Sequence, residues 1–164
     1  MNHKTEGKNQ VYVRFDARSM NEGFARMVVM GFMMDMNPTM DELTDVKTAV
    51  SEAVTNAIIH GYAGCIKLDE TSIDEKKEIP QVEMICIREG KMLTIRVEDH
   101  GVGIEDIEEA RQPFFTTKPE LERSGMGFSF MESFMDEVEV ISTPGKGTSI
   151  LMRKYIASKE KDGV

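Results

Sequence analysis

Two glycine clusters bracket one charged stretch of this chain and outline a pocket. Asp99-His100-Gly101-Val102-Gly103 ends an alternating stretch, and Gly125-Met126-Gly127-Phe128 opens a helical pattern. Glycine lets backbone approach a ligand closely, and the start of a helix offers unpaired N–H groups to an anion. The segment between them carries Phe114-Phe115-Thr116-Thr117-Lys118-Pro119 and reads as a cover. The chemistry this suggests is nucleotide binding under a lid. Upstream, Glu52 and Asn56 lie four residues apart, hence on one side of a helix. Ala49, Ala53 and Ala57 leave room for something to approach them. Taken singly, Asp-x-Gly-x-Gly is more often a plain turn, and a Glu–Asn pair is more often two surface residues.

Length and composition bound the function. The 164 residues (18.5 kDa) fit one domain with a real core, its ends (1–9 and 157–164) expected to be flexible. A net charge of −9 argues against nucleic acid as the main partner, because phosphate backbones are gripped by clustered Lys and Arg. No apolar run approaches a membrane span, and the polar start MNHKTEGKNQ lacks a signal peptide's apolar core. Cys65 and Cys86 show neither ligand spacing nor a disulfide framework, which fits a reducing cytoplasm. The fourteen methionines read as adaptable core filler, with a Met-lined partner surface as the alternative.

The elements that position the candidate residues follow from periodicity. Val11, Val13 and Phe15 alternate as a short strand. Ser19-x-x-Glu22 reads as a capping box opening a helix to about Met36; Arg26 within it is either a solvated charge or a partner anchor. After Pro38, Thr39-x-x-Glu42 opens a second helix, with Leu43, Val46, Val50, Val54 and Ile58 on its buried face and Gly61 or Gly64 at its end. Residues 63–81 read as a charged surface loop, with room for a short strand around Ile66–Leu68. Val82–Arg88 and Met92–Glu98 read as a hairpin turning at Glu89-Gly90. Beyond the lid come a helix from Gly127 to Asp136, a strand over Val138–Ile141, a turn at Pro144–Gly147 and a strand to Tyr155. This order gives an α/β two-layer sandwich, helices on one face of a mixed, mainly antiparallel sheet.

The combination of Glu52-x-x-x-Asn56, Asp99-x-Gly101-x-Gly103 and Gly125-Met126-Gly127-Phe128, in that order, resembles the ATP-binding superfamily of gyrase, the large heat-shock chaperone, mismatch-repair clamps and histidine kinases (the Bergerat fold). Within it, SEAVTNAIIHGY and EEARQPFFTTKPELERSGMGFSFME look like the anti-sigma F factor family of spore-forming bacteria, which are serine kinases. The likeness runs from about Gln10 to Ile156. It implies that Asn56 holds Mg²⁺ through its amide oxygen and that Glu52 is the general base for a serine hydroxyl. Asp99 would accept from the adenine amino group, Gly101 and Gly103 would pass close to the base, and Thr148 would contact that end of the site. Gly125, Met126, Gly127 and Phe128 would offer N–H groups to the phosphates of ATP or ADP, under a lid carrying Thr116, Thr117 and Lys118. Lys118 is as readily a plain solvated lysine.

The resemblance implies protein partners too. One is the sporulation sigma factor F; the other is an anti-anti-sigma factor phosphorylated on serine; a homodimer is also implied. Arg26 and Arg123 are the candidates for partner contact. The connection at 63–81 is longer and more charged than the family's usual one. His60 reads as a structural histidine rather than a phosphoacceptor, for want of a separate dimerisation helix. Two other readings stand beside the kinase: a nucleotide-gated binding module without phosphoryl transfer, and an ATPase clamp fragment, the latter weakened by the lack of a transducer domain after Tyr155.

Overall fold

Alternation of more and less buried positions marks five strands. The computed structural model describes residues 7–62, 78–113 and 127–157. In it β1 (Asn9–Asp16), β2 (Gln81–Glu89), β3 (Met92–Asp99), β4 (Glu137–Thr143) and β5 (Gly147–Tyr155) form one sheet of order β1-β2-β3-β5-β4. Every pairing is antiparallel, so the mainly antiparallel sheet expected is wholly so among the described strands. The inward positions of the central strands, among them Val82, Met84, Leu93, Ile95 and Met152, are buried.

Helices cover that face. They are α1 (Asn21–Met33), α2 (Met40–Thr55) and α4 (Gly127–Phe134), while the short α3 (Ile107–Ala110) buries none of its residues. α2 packs against both α1 and α4, burying Val46, Val50 and Val54. Its start is the capping box read from sequence: Thr39 Oγ1 accepts from the Glu42 N–H at 3.2 Å, and Glu42 Oε2 accepts from the Thr39 N–H at 2.7 Å. Glu42 Oε1 also accepts from the Ala157 N–H at 2.8 Å, so this one carboxylate ties the end of the described chain to the helix. Lys154 Nζ donates to the Phe134 carbonyl at 2.6 Å and lies 3.2 Å from Asp45, fastening the last turn of α4 to β5 and α2. Arg111 Nε donates to Glu132 Oε1 at 2.6 Å, joining the residues on either side of segment 114–126.

Several local expectations are corrected. Ser19 caps nothing: the chain leaves β1 through successive turns, and the residue before α1 is Met20, already helical (φ −63°, ψ −24°) and without a side-chain cap. A cap needs extended backbone, which Thr39 has (ψ 165°). The β2–β3 turn is Gly90-Lys91, because Glu89 still pairs with Met92. α4 ends at Phe134, and α3, capped by Asp106, lies in a stretch read as part of the lid. The core-filler reading of the methionines holds for some of them and not for others. Met33, Met84, Met131 and Met152 fill the core, whereas Met20, Met27, Met34 and Met40 are exposed on and beside α1. The strand suggested at Ile66–Leu68 and the flexible ends lie outside the described residues, save for 7–9 and 157.

Thr39→Ala removes one capping-box bond and is expected to lower stability by about 1 kcal/mol, read as a lower urea midpoint at unchanged slope. An unchanged midpoint contradicts the assignment.

Candidate functional site

The centre of the site is made by a change of helical pitch. α2 runs regularly to Thr55, and Asn56–Gly61 then continues as a π-helix. The wider turn carries the chain across β3 and β5 and lays Gly61 on the end of β3. A Cβ at Gly61 would stand 2.5 Å from Cγ of Asp99, and one at Gly101 would overlap the Gly61 carbonyl oxygen. These two glycines are thus required by contact, not by turn geometry. The Val102 N–H donates to the Gly61 carbonyl at 2.7 Å and closes the junction.

Tyr62 locks it from behind. Its buried hydroxyl accepts from the His100 N–H at 2.9 Å and donates to the Gln81 carbonyl. Helix end, Asp99 loop and start of β2 are thereby held by one side chain.

Asp99 is 4% exposed. Its Oδ1 accepts from the Gly101 N–H at 3.0 Å. Burial pushes its carboxyl up from 3.8 to about 6, opposed by the N–H groups of Gly101 and Thr148, which favour the charged form. Thr148 stands directly opposite Asp99 across the β3–β5 pairing and is also buried. Next in the row, Ser142 Oγ lies 2.8 Å from Thr148 Oγ1. A buried carboxylate beside a hydroxyl, walled by glycine backbone, is suited to accepting hydrogen bonds from a flat, donor-bearing ring.

Asn56 begins the π-helix, one turn after the half-buried Glu52. Its side-chain nitrogen is buried without a hydrogen-bond partner. Such a group costs about 1–3 kcal/mol, and a terminal amide turned over exchanges nitrogen for oxygen. The position therefore offers a donor to a phosphate oxygen or an acceptor to a cation. Among the described residues no cluster of three His, Cys, Asp or Glu side chains could hold a metal. A cation here would bring most of its oxygen ligands with it, as Mg²⁺ does when it binds with phosphates and water.

Of the residues singled out in the sequence, Asp99, Gly101 and Thr148 meet directly. Gly103 (φ 74°) packs on the Thr143 carbonyl in the adjoining turn. Asn56 opens the π-helix whose other end, Gly61, packs on Asp99, and Glu52 precedes it on α2. Gly127 and Phe128 open α4, both buried. Thr116, Thr117, Lys118, Arg123, Gly125 and Met126 lie outside the described residues. Arg26 stands apart on α1, paired with Glu22 at 3.2 Å. Gly61, Tyr62, Ser142 and Gly147 were not singled out for the site. A Cβ at Gly147 would overlap the Asp99 carbonyl oxygen. The one sequence signal for Gly61 and Tyr62 was their place directly after the Asn56 helix; Ser142 had none.

Comparison with known proteins agrees with this geometry. A family described as the histidine kinase-like ATPase domain matches residues 13–154. The anti-sigma F factor of Geobacillus kaustophilus is 54% identical over 93% of this chain and 97% of its own length. That of Clostridium perfringens strain SM101 is 54% identical over 89% of this chain and 96% of its own. A solved structure of the RsbU and RsbW domains of Rv1364c from Mycobacterium tuberculosis aligns with a TM-score of 0.56 at 17% identity. It covers 90% of this chain and 32% of that one, and supports the fold alone.

Because the native fold raises the Asp99 carboxyl to about 6, ionised Asp99 costs stability above that pH, and the cost fades as pH falls from about 6 to about 4. Asp99→Asn keeps an acceptor for the Gly101 N–H and carries no charge. It is expected to be more stable than the native protein at pH 7.5, by up to about 3 kcal/mol, with the margin shrinking toward pH 4. Urea unfolding at both pH values checks this; an equal margin at both contradicts it.

Proposed function

The chain belongs to the anti-sigma F factor family, built on the histidine kinase-like ATPase domain, and from that premise we propose that it is a nucleotide-dependent anti-sigma factor and protein-serine kinase. It captures the sporulation sigma factor when ATP is bound, and transfers the γ-phosphoryl group of ATP to a serine of an anti-anti-sigma protein. The observation that carries this reading is the buried Asp99 carboxylate, walled by Gly61 and Gly101 at one end of a π-helix whose other end holds the unpartnered Asn56 amide. A base-reading acceptor at the end of β3 thus packs against one end of the π-helix, and the other end of that helix carries a polar group for phosphate or cation.

In this reading Asp99 and Thr148 accept from the adenine edge while Gly101 and Gly103 let the loop lie against the ring. Asn56 would hold Mg²⁺ through its amide oxygen. Backbone N–H groups of Gly125, Met126, Gly127 and Phe128 orient the phosphates, with Thr116, Thr117 and Lys118 closing over them. When bound, Mg-ATP supplies the transferable phosphoryl group and the charge neutralisation that phosphoryl transfer needs. Glu52 accepts the proton of the attacking serine hydroxyl, which its place one turn before Asn56 allows.

Partner contact falls to Arg26 and Arg123. The exposed stripe Met20, Phe24, Met27 and Met34 runs along the helix that carries Arg26, which supports α1 as a protein-binding surface. A homodimer and a cytoplasmic location complete the proposal. No helix among the described residues is long and apolar enough to cross a membrane.

Glu52→Gln separates the kinase from a nucleotide-gated binding module. With Mg-ATP and an anti-anti-sigma partner, the variant is expected to bind ATP as the native protein does. Phosphoserine formation should fall on the order of a hundredfold or more. Transfer at the native rate removes Glu52 as the base, and native protein that binds ATP yet forms no phosphoserine favours the binding module.

A further inference from the structure

Three polar side chains stand in a row across three strands at the Asp99 end of the sheet. The β3–β5 pairing sets Asp99 opposite Thr148, and the β4–β5 pairing sets Thr148 opposite Ser142. Cross-strand partners project to the same face, so the three form one polar edge. Ser142 Oγ accepts from the Ile104 N–H at 2.8 Å and lies 3.0 Å from the Gly147 carbonyl and 2.8 Å from Thr148 Oγ1.

A hydroxyl has one hydrogen and two acceptor positions. The Ile104 N–H takes one acceptor position. The Gly147 carbonyl can only accept, so it takes the Ser142 hydrogen. The remaining lone pair of Ser142 then receives the Thr148 hydrogen. This arrangement satisfies all three partners at once. The reverse one, Ser142 donating to Thr148, takes the Ser142 hydrogen away from the Gly147 carbonyl. With its hydrogen committed to Ser142, Thr148 keeps only lone pairs for any further partner.

We propose that Ser142 is a positioning residue that fixes Thr148 as a hydrogen-bond acceptor, so that Asp99 and Thr148 together select a base edge that donates and reject one that accepts. The inference rests on the reading of this pocket as the base site for ATP. Adenine offers an amino group where guanine offers a carbonyl oxygen, which would meet lone pairs from both side chains. Rejection by an unmatched buried acceptor is a specificity device in its own right. Ser142→Ala releases the Thr148 hydrogen, which can then donate to that oxygen; Asp99 continues to disfavour it.

The test measures ATP and GTP dissociation constants for the full chain with magnesium, by competition against a fluorescent ADP analogue. Ser142→Ala should lower the preference for ATP over GTP roughly five- to tenfold. Ser142→Thr, which keeps a hydroxyl, should stay within about twofold of the native preference. Ser142→Cys, close in size but a weak hydrogen-bonding group, should follow Ser142→Ala and stands in for it if that variant does not fold. Equal weakening of both nucleotides, with the ratio unmoved, makes Ser142 a purely structural residue and overturns the inference while leaving the ATP site intact. Native protein that binds neither nucleotide overturns the ATP reading and this inference together.

Discussion

The burial of one carboxylate organises this molecule. Asp99 ends a central strand with almost no access to solvent, and its neighbours are chosen to let that happen. Gly61 and Gly101 have no side chain because any would strike Asp99 or each other's backbone. The cost of burying the charge is visible in the raised carboxyl pKa, and it is offset only in part by backbone N–H donors. A charge held this way is poor for stability and good for recognition, because it meets its ligand already desolvated and already aimed.

The rest of the fold serves that contact at increasing distance. The π-helix delivers Gly61 to the end of β3 and mounts Asn56 on the same turn. α2 is held at its start by Glu42 and along its length by α1 and α4. Lys154 fixes the end of α4 whose other end carries Gly127 and Phe128. Tyr62 and Ser142, two hydroxyls on opposite flanks of the Asp99 loop, bind backbone rather than solvent. Placing residues on rigid elements and bracing them with a supporting shell is what precise recognition requires.

Much of this was legible in the sequence, and the limits follow one physical line. The strands and the face they bury could be read from alternation, and α2 from its apolar spacing and its Thr39–Glu42 box, because these are local signals. Ser19–Glu22 carries the same letters as that box yet forms no cap, since the turns leaving β1 set the backbone there. Nothing local distinguishes Asn56–Gly61 as a π-helix, and Gly61 looked like a helix stop because its reason for being glycine is a contact 38 residues along the chain, at Asp99. Ser142 looked like any strand residue for the same cause. Motif singled out Asp99 and its glycines; only the pairing of β3, β5 and β4 shows which side chains stand in a row with Asp99.

The most direct measurement of the central claim is a crystal structure of the protein with magnesium and a non-hydrolysable ATP analogue. The account requires the adenine amino group within hydrogen-bond distance of Asp99 and the phosphate–cation group at the Asn56 amide. A nucleotide bound elsewhere, or Asn56 and Asp99 opening into different cavities, would contradict it.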